Sequence, residues 1–426
     1  MQRILRLALA LSCFALLFNS CKEEALSADS ATDIQPNAEL APASNEGDII
    51  PDQYIFTFRE QAIAPAISYL DMDQINSREE KIAQMTIYNE QVENEITEFL
   101  AKEGIEPDAI LNIYTALEAG VALKISEMTY EKLRTNDAFA AVEHDRVVEL
   151  PPFQVEKVFP AGQKNSQQTT CAVQRAGGSR NSPTTNRWIW IVDSGIDLNH
   201  PDLSVITNGT YARSFVGGSP EDCNGHGTHV AGIAAARNNS FGARGVSAGA
   251  RVVPVRVFGC SGGSSSSTII AGINHVGTYG YSGDVTNLSL GGYYGSGCGS
   301  NTPYRNPVRA LGNAGNRVCI AAGNSRANAA NYAPACVNGT RVYTVSSMTC
   351  SYGFSTSFSN YNVNPVDYIA VGSSVYSTYK NGGYATLSGT SMATPVVAGI
   401  CHVRNNAPRS SRNVRYRNEN YRVAIR

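Results

Sequence analysis

Three residues whose types cooperate in acyl transfer are spread along this 426-residue chain, namely Asp193, His226 and Ser391. Ser391 lies where a loop becomes a helix, and a hydroxyl beside the free N–H groups of a helix start is suited to attack a carbonyl. Asp193 ends an apolar run that predicts a buried strand, and open α/β sheets place their chemistry at that edge. His226 stands between two glycines at the start of a small-residue helix, so a base there can approach a substrate closely. Together these features predict catalysis by a nucleophilic serine.

The roles of the three residues follow from their acid–base properties. A serine hydroxyl is a weak nucleophile at neutral pH, so His226, with an ordinary pKa near ~6.5, is predicted to take its proton. Asp193 would hold the imidazole in the required tautomer. His226 and His229 also form an H-x-x-H pair, but no Glu or third ligand accompanies them as in a metalloprotease. We therefore predict His229 to be a packed helix residue.

The segments around these residues resemble those of the subtilisin-like serine proteases, most closely the proteinase K branch. The resemblance extends to residues 287–292 and 320–324 and keeps the family's order along the chain. It implies a triad of Asp193, His226 and Ser391, with the Asn324 amide and the Ser391 N–H as donors to the oxyanion. The implied activity is that of a serine endopeptidase. A catalytically silent surface protein that binds peptides is the alternative.

The same resemblance implies that an extended peptide pairs by its main chain with two edges, residues 259–264 and 288–292, and main-chain pairing favours broad specificity. The implied primary pocket is walled by residues 289–291 and 321–323, with 331–335 nearby. It has no acidic base, so apolar or aromatic side chains are expected to fit best. The predicted substrate-binding residues are Gly262, Gly263, Ser289, Leu290, Gly291, Gly292, Ala321, Ala322 and Gly323.

Cofactor and partner predictions are limited. The chemistry needs no cofactor, while Asp367 aligns with an acidic residue that binds calcium in proteinase K, which implies a structural calcium ion. A net charge of −2 provides no global attraction to nucleic acid. The expected partners are protein and peptide substrates and the chain's own inhibitory segment, with a monomeric enzyme.

The remaining pattern predicts an α/β domain over residues 165–426. Apolar strands at 187–193, 251–258, 284–290, 318–322 and 341–346 alternate with helical stretches, as in a mostly parallel sheet with helices on both faces. The Arg-rich tail, residues 404–426, is predicted to form a solvated terminal helix.

Residues 50–150 have the pattern strand, charged helix, strand, helix, strand, with an amphipathic helix at 77–102 and a strand at 114–124. This small α+β segment resembles the subtilisin prodomain, which implies a folding template and a product-like inhibitor. Cleavage between residues 150 and 180 would then release the enzyme.

The N-terminus indicates export. Arg3 and Arg6 precede an apolar run, residues 7–18, that is too short to span a bilayer comfortably, so residues 1–20 are predicted to be a signal peptide. Residues 17–21 resemble a bacterial lipobox with Cys21 as the lipidated residue, and a plain cleaved signal is the alternative. Residues 21–49 are predicted to be a flexible tether. The protein is therefore expected at the outer membrane or cell surface, or secreted.

Eight cysteines follow Cys21 and allow 105 full pairings. We expect Cys260 to pair with Cys298 and Cys336 with Cys350. Cys319 and Cys401 are predicted to be buried thiols, because a cysteine in an apolar strand is usually a small hydrophobe.

Overall fold

A computed structural model describes residues 47–63, 75–161, 166–183, 185–410 and 412–426. The predicted signal peptide, Cys21 and most of the predicted tether lie outside the described residues. Within these ranges, no helix is both long and apolar enough to cross a membrane.

The first elements form a small α+β unit. They are β1 Ile49–Phe58, α1 Arg78–Lys102, β2 Ile110–Tyr114, β3 Gly120–Lys124, α2 Glu127–Leu133 and β4 Phe139–Glu149, with a 3₁₀ turn at Pro107–Ala109. Helix α1 begins after Ser77, whose side chain accepts the Glu80 N–H. The single strand predicted over 114–124 is wrong, because this segment turns back on itself as the antiparallel hairpin β2–β3.

The small unit has a hydrophobic core of its own. Val92, Ile96 and Leu100 recur every four residues on α1, which places them on one face of the helix. This face packs on buried side chains of β1 and β3 such as Phe56 and Leu123. The unit therefore folds around a core separate from those of the larger domain.

The larger domain alternates strands and helices. Its strands are β5 Gln154–Phe159, β6 Arg180–Asn181, β7 Ile189–Asp193, β8 Ser204–Val205, β9 Arg213–Ser214, β10 Ser247–Ala248, β11 Arg251–Arg256, β12 Gly263–Ser265, β13 Val285–Leu288, β14 Gly292–Tyr293, β15 Arg317–Ala321, β16 Tyr332–Ala333, β17 Val342–Met348, β18 Val366–Val371, β19 Val375–Tyr379, β20 Gly383–Ser388, β21 Asn413–Tyr416 and β22 Glu419–Arg422. Its helices are α3 Cys171–Arg175, α4 His226–Ala235, α5 Ser266–Tyr279, α6 Cys298–Asn301, α7 Arg305–Asn313 and α8 Thr390–Arg404, with a 3₁₀ turn at Ala329–Asn331.

The main sheet has the strand order β18-β17-β15-β13-β7-β11-β8, with β9 also paired to β11. All of its described pairs are parallel. Alternate residues of β7 face opposite sides, as strand geometry requires. Ile189 and Ile191 belong to a core that contains α4 and α8, whereas Trp190 and Val192 belong to one that contains α5 and α7. The predicted parallel sheet with helices on both faces is therefore present.

The small unit joins the larger domain through its last strand. Strand β4 pairs antiparallel with β12, with Glu149 opposite Gly263 and Val147 opposite Ser265. The resulting sheet has the order β12-β4-β1-β3-β2. Strand β5, which follows, pairs with β20 just before α8.

The prediction of a terminal helix is wrong. The tail forms the hairpin β21–β22, whose two-residue turn, Arg417 and Asn418, has positive φ at both positions. Such a turn matches the twist of a hairpin. Val423 bridges to Ile369 of β18, and Arg417 and other tail arginines stack on tyrosine rings. Burial of alternate apolar residues and stacking of the arginines on tyrosine rings thus stabilise a hairpin, while the stacked arginines remain exposed.

The predicted disulfide pairs are also wrong. The observed pairs are Cys171–Cys350, Cys223–Cys260 and Cys298–Cys336, with Cα–Cα distances of 6.0, 5.1 and 6.0 Å. Each joins two segments of the chain that only the folded topology brings together. Cys319 and Cys401 are buried free thiols, as predicted, and burial raises the pKa of Cys319 well above its usual value.

Candidate active site

Asp193 and His226 are in direct contact in the core of the site. The Nδ1 atom of His226 lies 2.8 Å from Oδ1 of Asp193, and both side chains are fully buried. The register that ends β7 at Asp193 aims its carboxylate at the start of α4. Nε2 of His226 is buried and has no hydrogen-bond partner in the described part of the chain. This arrangement leaves Nε2 as the atom that can exchange a proton.

Asp222 positions the turn that presents His226. Its Oδ1 accepts the N–H groups of Asn224 and Gly225, and its Oδ2 accepts the N–H and hydroxyl of Thr228. Gly225 has a φ of +107°, which favours glycine. Burial raises the pKa of Asp222, while the hydrogen bonds from Thr228 and Gly225 oppose that rise. The carboxylate therefore caps α4 from outside the helix.

Ser391 is the second residue of α8, and its hydroxyl donates to the backbone oxygen of Ser289 at 3.3 Å. Helix α8 packs closely on α4, because a Cβ added at Gly399 would lie 3.1 Å from the Ala234 oxygen. Gly389 immediately precedes α8. A Cβ added at Gly389 would come within 3.0 Å of Nδ2 of Asn324. Ser391, His226 and Asn324 are thus presented by three elements that share one core.

The Asn324 side chain is held at its oxygen by Thr390 and uses its amide toward the cleft. Oδ1 accepts both the N–H and the hydroxyl of Thr390 at 2.8 Å. Nδ2 therefore faces the cleft, where it donates to the backbone oxygen of Pro152 at 2.8 Å. A donor held in this way can stabilise negative charge on a carbonyl oxygen without reorganising.

The peptide that follows β4 fills the cleft. Leu150 donates its N–H to the Gly262 oxygen at 2.9 Å. Pro152 is bound by Asn324, and the ring of Phe153 lies 4.9 Å from that of His226. The Pro152–Phe153 peptide bond therefore joins a residue bound by Asn324 to one whose ring contacts His226.

The predicted substrate-binding residues occupy two regions. Gly262 and Gly263 contact the segment that leads into the cleft. On the other side, a Cβ at Gly291 would lie 2.8 Å from the Ala333 oxygen, and Gly292 pairs with Ala333. Residues 331–335 are thus adjacent to 291–292, and their role as one primary pocket stays a prediction. Buried positions on this side are Ser289, Leu290, Ala321 and Ala322.

Gly323 belongs to a loop that Asn360 fixes. Asn360 is fully buried; its Nδ2 donates to the Ala322 oxygen, and its Oδ1 accepts the N–H groups of Ser325 and Ala327. Gly323 has a φ of +100°, and a Cβ there would lie 2.4 Å from Nδ2 of Asn360. This amide thereby sets the loop that carries Asn324.

Asp222, Asn360, Thr390 and Pro152 were not identified from the sequence. Asp222 lies four residues before His226, a spacing that allows an Asx-type cap to be suspected. Asn360 comes from a distant loop and carries no local signal. Pro152 contributes only a backbone oxygen, so its residue type contains no information about the contact.

His229 is a packed residue, as predicted. Its Nε2 lies 3.1 Å from the oxygens of both Val375 and Ala385. Burial lowers its pKa to about 3, so the ring is neutral. Nε2 thus carries the proton and is not available to a metal.

Asp367 does not lie in a cluster of metal ligands. Its Oδ2 accepts the Thr344 N–H at 2.9 Å, and burial raises its pKa to about 6. Within the described ranges, no three His, Cys, Asp or Glu side chains come together as a metal site. The described residues around Asp367 therefore do not form a set of carboxylates that could bind a cation. The structural calcium ion stays a prediction.

Known families match both units. A model described as the subtilase family matches residues 185–419. The chain belongs to the subtilase family. A second model, the peptidase inhibitor I9, matches residues 53–151. The small unit is therefore an I9 prodomain, and the fold class predicted for this subtilase is confirmed.

The relatives are proteases. The chain is 34% identical over 355 residues to an extracellular serine proteinase of Thermus sp., covering 82% of this chain and 79% of the relative. It is 40% identical over 233 residues to thermitase of Thermoactinomyces vulgaris, covering 54% of this chain and 79% of the relative. A crystal structure of a cold-adapted subtilisin-like serine proteinase matches with a TM-score of 0.50 and 32% identity, covering 60% of this chain and 97% of that one.

These similarities identify the chain as a subtilisin-like serine endopeptidase with an inhibitor-type prodomain, whose chemistry requires no cofactor. Extracellular relatives and the disulfides of the described domain both favour export. Assignment to the proteinase K branch stays a prediction.

Proposed function

We propose that this chain is the zymogen of an exported serine endopeptidase in which Asp193, His226 and Ser391 form the triad. Asn324 and the Ser391 N–H stabilise the oxyanion. The observation that carries the proposal is the position of one peptide bond between Nδ2 of Asn324, 2.8 Å from the Pro152 oxygen, and the ring of His226. This position supports both proposed roles, that of Asn324 as the donor to the carbonyl oxygen and that of His226 as the base.

The first step transfers a proton within the site. The Ser391 hydroxyl turns from the Ser289 oxygen toward Nε2 of His226, gives up its proton there and attacks the Pro152 carbonyl carbon. Asp193 stabilises the imidazolium that forms. His226 then passes the proton to the nitrogen of Phe153, which leaves as a free amine. Water hydrolyses the acyl-enzyme by the reverse sequence.

We further propose that maturation cuts the Pro152–Phe153 bond. The prodomain then ends in Pro152 and remains in the cleft as a product, held by the β4–β12 pairing until it dissociates. The mature domain begins at Phe153. This narrows the predicted interval of 150–180 to a single bond.

The substrates are proteins and peptides bound through their main chain, with apolar or aromatic residues preferred at the primary pocket of residues 289–291 and 321–323. No acidic side chain is among these residues. The enzyme is proposed to act as a monomer at the outer membrane or cell surface, anchored through lipidated Cys21, or as a secreted protein.

Ser391→Ala tests the function directly. The variant should lose nearly all peptide-bond hydrolysis and all labelling by a fluorophosphonate, and His226→Ala should be equally impaired, because triad members act as a unit. Their double variant should be no worse. Wild-type chain that reacts with the probe but never hydrolyses casein would instead support a silent peptide-binding protein.

The maturation site is tested on the same proteins. In a host without other proteases, wild-type chain should yield a mature N-terminus at Phe153, while Ser391→Ala should accumulate uncut. An N-terminus at Gln154 would place the cut after Phe153. Efficient cutting of Ser391→Ala at the same bond would assign maturation to another protease.

Cys21→Ser tests the anchor. The variant should lose incorporation of labelled fatty acid and move from membranes to the soluble fraction, because stable anchoring needs more than one acyl chain. Cys13→Ser is the matched control and should stay in the membrane fraction. Equal release of both variants and wild type would support a plain signal peptide.

A further inference from the structure

Arg78 of the prodomain is buried in the protease domain. Only 6% of its surface is exposed, and its partner Asp284 is fully buried. Nη1 donates to Oδ2 of Asp284 at 2.8 Å, and Nη2 donates to Oδ1 at 2.9 Å. The two parallel bonds form a bidentate pair, a geometry that a guanidinium can make and an ammonium cannot.

The protease domain also satisfies the other faces of the guanidinium. Nη1 donates to the Tyr279 oxygen at 2.9 Å, and Nη2 donates to the Asn186 oxygen at 3.0 Å. The ring of Trp188 lies under the guanidinium, 3.6 Å from Cζ to the centroid. A carboxylate, two carbonyl oxygens and an aromatic face thus match a flat cation.

The carboxylate is oriented by the protease domain itself. Besides Arg78, Asp284 accepts the N–H of Trp188, the indole N–H of Trp190 and the N–H of Tyr281 at 2.8, 2.8 and 3.0 Å. None of these three donors belongs to the prodomain. The site therefore has its geometry set independently of the residue that fills it.

This site is separate from the triad. Asp284 immediately precedes β13, whose first residue, Val285, pairs with Ile189 at the start of β7. Asp193 is at the opposite end of β7, four residues further on, or roughly 13 Å at 3.3 Å per residue. The two sites thus lie at opposite edges of the parallel sheet.

We propose that the protease domain carries a guanidinium-binding site, built by Asp284, Trp188 and the backbone oxygens of Asn186 and Tyr279. It holds Arg78 in the precursor and binds an alkylguanidinium, such as an arginine side chain of another peptide, when Arg78 is absent. Only its availability in the mature enzyme rests on the proposed function, because maturation must first remove the prodomain.

The chain provides its own probe of this site. It has two tryptophans, Trp188 and Trp190, and both contact the site. Intrinsic tryptophan fluorescence therefore reports occupancy with no background from elsewhere in the protein.

The first experiment uses the full-length chain with Ser391→Ala to prevent cleavage, with and without Arg78→Ala. Methylguanidinium should change the fluorescence of the Arg78→Ala chain saturably, with half-saturation on the order of 1 mM, as for a ligand of few atoms. Methylammonium should not. The chain with Arg78 intact should not respond, nor should Arg134→Ala, a matched variant of an exposed prodomain arginine paired with Glu131.

A folded Arg78→Ala chain whose fluorescence responds identically and without saturation to both cations would overturn the proposal. If the variant does not fold alone, methylguanidinium present during refolding should restore the wild-type circular dichroism spectrum, and methylammonium should not. Failure of both to restore it would also overturn the proposal. Neither outcome depends on whether the wild-type chain cuts itself.

Discussion

The hydroxyl of Ser289 donates to the backbone oxygen of Ser391 at 2.9 Å, a bond that the helix itself cannot make. In a regular helix this oxygen would accept the N–H four residues later, but that residue is Pro395, which has no N–H. Ser289 itself accepts from Nδ2 of Asn287 at 2.8 Å. The main chain of Ser391, the proposed nucleophile, is therefore tied to the predicted wall of the primary pocket.

Ser289→Ala should lower the free energy of unfolding of the Ser391→Ala protein by about 1–3 kcal/mol, because it leaves a buried carbonyl without a donor. Pro395→Ala supplies an N–H to the same oxygen. In that background the cost of Ser289→Ala should shrink by about 1 kcal/mol. Urea unfolding of the four variants measures this cycle. Strict additivity would mean that Pro395 is not the reason for the bond.

Asn324→Ala should lower kcat by about 10² to 10³ and leave KM nearly unchanged, because its amide acts on charge that exists only in the transition state. Steady-state kinetics on a peptide substrate measures both parameters. Asn338→Ala, at an exposed asparagine whose side chain donates to that of Asn364, is the control and should match wild type. A rise in KM with unchanged kcat would show that Asn324 binds substrate and transition state equally.

Asn360→Asp separates positioning from direct contact. The aspartate keeps the acceptor for the N–H groups of Ser325 and Ala327 but loses the donor to the Ala322 oxygen. We expect kcat to fall about tenfold, or roughly 1.4 kcal/mol, through displacement of Asn324. Adding Asn324→Ala should then cost much less than it does in wild type. Two independent losses would show that Asn360 acts on stability alone.

The sequence predicts those parts of this enzyme whose signal lies within one short segment of the chain. Asp193 at the end of an apolar strand and Ser391 at a helix start are recognisable because strand ends and helix starts present chemistry in any open α/β fold. Arg78 and Asp284 are separated by 206 positions, and no periodicity connects them. The disulfide partners of Cys260 and Cys350 are hidden for the same reason. The tail was wrongly expected to be a helix, because the stacking of its arginines on tyrosines depends on neighbours from distant segments of the chain.

Acid should destabilise the fold through His229. Its folded pKa is about 3, below the ordinary value near 6.5, because the ring is buried, and the hydrogen bonds to the backbone oxygens of Val375 and Ala385 only partly oppose this drop. Below pH 6.5, His229 is therefore protonated in the unfolded chain but stays neutral in the folded chain. The stability due to neutral His229 is fully present above pH 6.5 and is lost as the pH falls toward 3.

His229→Gln isolates this effect, because glutamine keeps a donor but does not titrate. In the Ser391→Ala background, the protein that retains His229 should lose about 2 kcal/mol more than the His229→Gln variant between pH 7 and pH 5. Asp202 has the opposite sign, since burial raises its folded pKa to about 7, but it is common to both proteins and cancels in the comparison. Urea unfolding at the two pH values, with disulfides intact, makes the measurement. Equal losses in both proteins would mean that His229 becomes protonated while the protein remains folded.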